Sequence, residues 1–106
     1  MTDKLNILKD LKYHLQRHYN NTIKDIILFG SQASNTAKSD SDFDILIVLE
    51  KDYNRNDENI ILDLCYDINL KYNIVINVHF ISKTEINSLR GRQPLYTNAL
   101  SNGIYA

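Results

Sequence analysis

Two aspartates separated by one phenylalanine, Asp42-Phe43-Asp44, open an apolar run that continues through Ile45-Leu46-Ile47-Val48-Leu49. On an extended segment alternate side chains project from one face, so both carboxylates lie on the same side with Cα atoms about 6.5 to 7 Å apart. Two anions this close, leading into apolar surroundings, repel each other and lose hydration; a divalent cation relieves both penalties. Hard oxygen donors favour magnesium or manganese over zinc. Upstream, across residues 32–41, Gly30-Ser31 ends a second apolar run, Ile26-Ile27-Leu28-Phe29. A glycine there lets a bulky anion approach the backbone. A serine hydroxyl and the unpaired N–H groups of a helix start favour phosphate oxygens. Gly30, Ser31, Asp42 and Asp44 together read as a site for a polyphosphate carrying Mg2+ or Mn2+. The plainer reading makes Asp40-Ser41-Asp42 a polar turn before a strand. It does not account for Asp44, which lies inside the apolar run.

The elements that position these residues follow from periodicity. From Asp3 to Tyr19, Leu5, Leu8, Leu11, Leu15 and Tyr19 recur every three to four positions, which predicts an amphipathic helix. Ile26–Phe29 predicts a buried strand, and Phe43–Leu49 a strand covered on both faces. Residues 57–72 carry Ile61, Leu64, Cys65, Ile68 and Tyr72 on one side of a second helix. Residues 74–81 alternate, with Ile76, Val78 and Phe80 on one face and Val75, Asn77, His79 and Ile81 on the other, predicting a third strand. Lys83-Thr84-Glu85 suggests a short helix, and Leu95 to Ser101 a last one stopped by Gly103.

The totals bound the class. With 106 residues, 43% apolar and 24% charged, the chain suits one folded domain spanning 1–106. Twelve basic and thirteen acidic residues are interleaved for a net charge of -1, which argues against general nucleic-acid binding. No apolar run approaches the roughly 20 residues that cross a bilayer, and Met1-Thr2-Asp3-Lys4 lacks the pattern of a signal peptide, so the expectation is a cytoplasmic protein without membrane partners. Cys65, set among apolar residues, reads as a small buried hydrophobe rather than a catalytic thiol. His14 and His18, four apart on a helix, have no evident third metal ligand and read as a helix face. Arg90 and Arg92 form a small basic loop whose default role is solvation.

Phe29-Gly30-Ser31 followed at this spacing by Ser41-Asp42-Phe43-Asp44-Ile45 resembles the signature of the polymerase β nucleotidyltransferase superfamily, and in particular its minimal single-domain members. Lys71-Tyr72-Asn73, Pro94-Leu95-Tyr96-Thr97-Asn98 and Gly103-Ile104 also look like these proteins, so the likeness covers most of the chain. It implies an α+β fold with a polymerase β-like nucleotidyltransferase core, a small mixed sheet with helices packed on it. The implied activity is transfer of a nucleoside monophosphate, most often AMP from ATP, to an acceptor hydroxyl with release of pyrophosphate. Gly30 and Ser31 would hold the outer phosphates, and Asp42 and Asp44 the magnesium. Several minimal members are antitoxins that adenylylate a partner toxin of the HEPN class, which makes such a toxin the implied partner.

The chain departs from the family pattern in three ways. Gln32 and Ser34 stand where arginines often follow Gly-Ser, and nothing beyond the core forms an acceptor-binding domain. Asn77 occupies the place of a later carboxylate; an amide coordinates metal through its oxygen but accepts no proton at neutral pH. His79, two residues on and on the same face, offers a general base or, more simply, a structural histidine. The departures support an alternative, a non-catalytic antitoxin or binding module that keeps the fold and acts by contact.

Overall fold

The computed structural model describes residues 4–19, 22–30, 42–88 and 91–106. Ser31, Gln32, Ser34, Ser41 and Arg90, with the side chain of Tyr19, lie outside the described residues. The elements run α1 (Lys4–Tyr19), β1 (Ile23–Phe29), β2 (Phe43–Leu49), α2 (Arg55–Tyr72), β3 (Ile76–Ser82), α3 (Pro94–Asn102) and β4 (Ile104–Tyr105). The four strands form one sheet in the order β3-β2-β1-β4. β1 pairs antiparallel with both β2 and β4, while β2 and β3 are parallel, as the α2 crossover between them permits.

Strand alternation sorts the apolar side chains into two layers. Ile26 and Leu28 of β1, Phe43, Ile45, Ile47 and Leu49 of β2, and Ile76 and Phe80 of β3 pack against α1 and α2. Ile27, Phe29, Leu46, Val48 and Ile81 point the other way, onto Tyr96 and Ala99 of α3. α1 buries Ile7, Leu8, Leu11 and Leu15, each worth roughly 1.5 to 3 kcal/mol when fully removed from water. Leu5, expected on that face, is 49% exposed instead, and Ile7 takes its place. The sequence reading followed the leucines. The buried stripe keeps Leu8, Leu11 and Leu15 and leans toward Ile7.

Local hydrogen bonding explains most of the boundary differences. α2 starts at Arg55 because Asn54 caps it: its side chain accepts from the Asp57 N–H while the Asp57 carboxylate accepts from the Asn54 N–H. It ends at Asn73, which adopts the left-handed conformation at φ 53°. β3 begins at Ile76 rather than Ile74, because the Ile74 N–H still donates to the helix carbonyl of Asn69 and the Ile76 N–H to the Asn69 side chain. β1 extends back to Ile23 through Lys24 and Asp25, an ion pair at 2.9 Å that an apolar-run criterion passes over. The expected helix at Lys83-Thr84-Glu85 is a set of turns. The Glu85 carboxylate accepts from the Ser82 N–H and the Ser82 hydroxyl accepts from the Glu85 N–H, a helix-start signature after which no helix propagates.

α1 and α2 are also joined by polar contacts. The Asp10 carboxylate accepts from Lys71 Nζ at 2.5 Å and from the Tyr72 hydroxyl at 2.7 Å, and His14 Nε2 lies 2.8 Å from Asp67 Oδ2. The hydrogen bond from Lys71, then that from Tyr72, holds the Asp10 carboxyl below its ordinary value of 3.8. A lowered folded value means that the carboxylate stabilises the fold above the unfolded pKa, a contribution lost as the pH falls through the folded one. Asp10→Asn is therefore expected to be less stable than the parent in urea at pH 7, with the gap closing in acid below 3.8. An equal gap at both pH values would show that the charge is not the cause.

Cys65 is buried under α2, and desolvation pushes its thiol up to about 12, which leaves it protonated and unreactive at neutral pH. No helix among the described residues is long and apolar enough to cross a membrane.

Candidate functional site

Among the described residues α3 packs over Ile27, Phe29, Leu46, Val48 and Ile81, and the start of β2 and of β3 lies beyond that cluster on the same face. Three of the residues singled out in the sequence meet there. Asp42 is exposed just before β2, Asp44 is half-buried as the second residue of β2, and Asn77 is exposed as the second residue of β3. The sheet register places Asp44 opposite Asn77 on one side and opposite Phe29 on the other. Phe29 is the last residue of β1, so Gly30 emerges beside Asp44. Ser31 follows it and lies outside the described residues.

Gly30 has φ +75°, a left-handed conformation that β-carbon-bearing residues adopt only at a cost of about 1 to 2 kcal/mol. A Cβ built on it would stand 2.5 Å from Asp44 Oδ2. The glycine therefore does more than open the backbone to an anion: it leaves the space that the Asp44 carboxylate fills. Sequence reasoning missed this relation, because it depends on the β1–β2 register across the long connection between the strands.

Asn77 Nδ2 lies 2.9 Å from Asp42 Oδ2 and 3.5 Å from Asp44 Oδ1, the second at the outer limit of a hydrogen bond. Carboxylates only accept, so the NH2 side of the amide is the one that faces them. A donor aimed between two carboxylates is the neutral counterpart of a cation there. The two carboxylates offer hard oxygen donors that would fit a divalent ion such as magnesium or manganese. No group of three His, Cys, Asp or Glu suited to a metal occurs among the described residues. That holds for the His14 and His18 pair as well, whose rings meet edge to face at 4.9 Å.

His79 follows Asn77 on the same face, opposite Leu46 in the register. Its ring packs against Phe29 with centroids 5.5 Å apart, which gives it a place in the wall between the site and the α3 layer. Arg92 is exposed in the loop before α3.

Comparison with known proteins identifies the family and the fold. A family model described as a nucleotidyltransferase domain matches residues 7–106. A protein of Methanocaldococcus jannaschii named "Putative protein adenylyltransferase" is 34% identical over 96 residues, 91% of this chain and 90% of the relative. A crystal structure of a mutant MntA–HpeT toxin–antitoxin superposes with a TM-score of 0.63 at 15% identity, over 92% of this chain and 69% of that one. A toxin–antitoxin crystallised with AMP-PNP gives 0.62 at 16% identity, over 92% and 70%. At such identities the structural matches establish a polymerase β-like nucleotidyltransferase fold, the α+β architecture expected from the sequence. The family model spans nearly the whole chain and the archaeal relative aligns over about nine-tenths of both chains, so this chain belongs to the nucleotidyltransferase domain family.

Proposed function

We propose that the chain is a magnesium-dependent adenylyltransferase, taking AMP from ATP and placing it on a hydroxyl of a partner protein, a toxin of the HEPN class. The observation that carries this reading is the convergence of Asp42 and Asp44 on one face at the start of β2, beside the backbone of Gly30. The archaeal relative's name supports adenylate and a protein acceptor, and the toxin–antitoxin neighbours support the kind of partner.

Within this reading Asp42 and Asp44 would hold the cation. Magnesium, when bound, supplies a Lewis acid that offsets charge at the phosphorus under attack and on the departing pyrophosphate. The bare backbone of Gly30 admits the triphosphate close to the strand end, and the hydroxyl and N–H of Ser31 hold its outer phosphates. The attacking hydroxyl oxygen forms the new P–O bond as the bond to pyrophosphate breaks, and its proton passes to solvent water. Asn77 takes no proton in this step, since an amide is not basic at neutral pH. His79 keeps its packing role against Phe29.

The test combines the purified protein, magnesium, α-phosphate-labelled ATP and a candidate HEPN toxin. Label and a mass gain of one adenylate on the toxin are the expected results. A toxin that is neutralised yet carries no nucleotide from any triphosphate donor would replace this reading with the contact-only module, which the neutral Asn77 beside the aspartates favours.

A further inference from the structure

Asn77 has a relation to the aspartates that a passive neighbour would lack. Its one Nδ2 atom reaches toward a carboxylate oxygen of each, at 2.9 Å from Asp42 and 3.5 Å from Asp44, from the register position directly opposite Asp44. Two carboxylates on one strand face repel, and the arrangement in which both turn toward a common point requires something electropositive at that point. The amide N–H groups meet that need, placing the positive end of their dipole between the two anions.

We infer that the Asn77 amide is an internal stand-in for the cation: it occupies the place between Asp42 and Asp44 that a metal would take, and it must turn or withdraw before a metal can enter. The inference rests on Asp42 and Asp44 being the metal-holding pair. A donor N–H and a cation cannot share the position, because the N–H dipole and the ion repel. Asn77 is exposed and its backbone pairing in the parallel β2–β3 ladder does not depend on its side chain, so changing it should leave the sheet intact. In this state the site is weakly receptive to free metal, and the amide adds an energetic threshold that the metal–nucleotide complex overcomes through its phosphate contacts.

The experiment measures Mn2+ alone, without nucleotide or acceptor, by the loss of its free-ion electron paramagnetic resonance signal. Asn77→Ala removes the competitor and is expected to tighten Mn2+ binding by about threefold to tenfold, the size of one or two partly exposed charge-assisted hydrogen bonds. In the parent, the side-chain NH2 resonances of Asn77 should move on saturation with Mg2+ as the amide leaves the carboxylates. Unchanged or weaker Mn2+ binding by Asn77→Ala, or amide resonances indifferent to Mg2+, would overturn the inference. Asp42→Asn with Asp44→Asn separates the two levels. If the parent binds Mn2+ and that double variant does not, the metal site stands whatever Asn77→Ala does. If neither the parent nor Asn77→Ala binds, the inference falls together with the metal reading.

Discussion

Replacing Asp42 and Asp44 together by asparagine is expected to lower adenylate transfer by roughly 10³-fold or more while leaving the fold at least as stable as the parent. The two substitutions keep size and hydrogen-bonding capacity but remove both negative charges from the face where Asp42, Asp44 and Asn77 meet. No hard-cation site survives with two neutral amides in their place. Stability should not fall, because Asp42 is exposed, Asp44 is only half-buried, and the change relieves a like-charge contact. The pair of measurements is the initial rate of label transfer from α-labelled ATP and the midpoint of urea unfolding. Transfer within tenfold of the parent would remove the aspartates from the chemistry. In cells the same variant decides between the two functional readings: loss of toxin neutralisation with binding retained requires catalysis, and full protection requires only contact.

The second large effect is expected from Gly30→Ala, which meets two obstacles at once. The backbone at φ +75° resists any side chain, which implies a loss of stability of about 1 to 2 kcal/mol. The new methyl would also sit 2.5 Å from Asp44 Oδ2, so the carboxylate must turn away from its partners. Transfer should therefore fall by roughly 10²-fold, beyond what the unfolded fraction explains, since small displacements of positioned groups cost about that much. A double-mutant cycle isolates the contact: in an Asp44→Ala background the stability cost of Gly30→Ala should shrink toward the backbone component alone. Additive costs would mean that the glycine and the aspartate do not compete for space.

Much of this was legible in the sequence because the strands and helices announce themselves by period. β2 was readable to the residue, since it is apolar from Phe43 to Leu49 apart from Asp44, which falls on the same face as Leu46 and Val48. The assignment of Asn77 and His79 to one face of β3 followed from alternation alone. What escaped depended on partners distant in the chain. The two-residue β4 is too short to have a period, and exists because Ile104 and Tyr105 pair with Leu28 and Ile27. Gly103 does stop α3, its N–H donating to the Ala99 carbonyl, but at φ -74° it needs no left-handed freedom; what only the fold reveals is that its missing side chain lets Ile27 Cγ2 come within 2.3 Å of where a Cβ would be. The Gly30–Asp44 fit and the Asn77 bridge likewise appear only once the register of β1 on β2 and of β2 on β3 is known.

β2 is hydrogen-bonded on both edges and buried from Ile45 to Leu49 on both faces. A strand in that position belongs to the cooperative unit that opens last, and its amides exchange with solvent only through whole-domain unfolding. Asp44 is thus mounted on that strand rather than on a surface loop, and Asp42 immediately precedes it. Their spacing is inherited from the global fold, so partial melting of the helices at either end leaves the pair aligned. Natural variation can retune what surrounds the pair without disturbing its spacing.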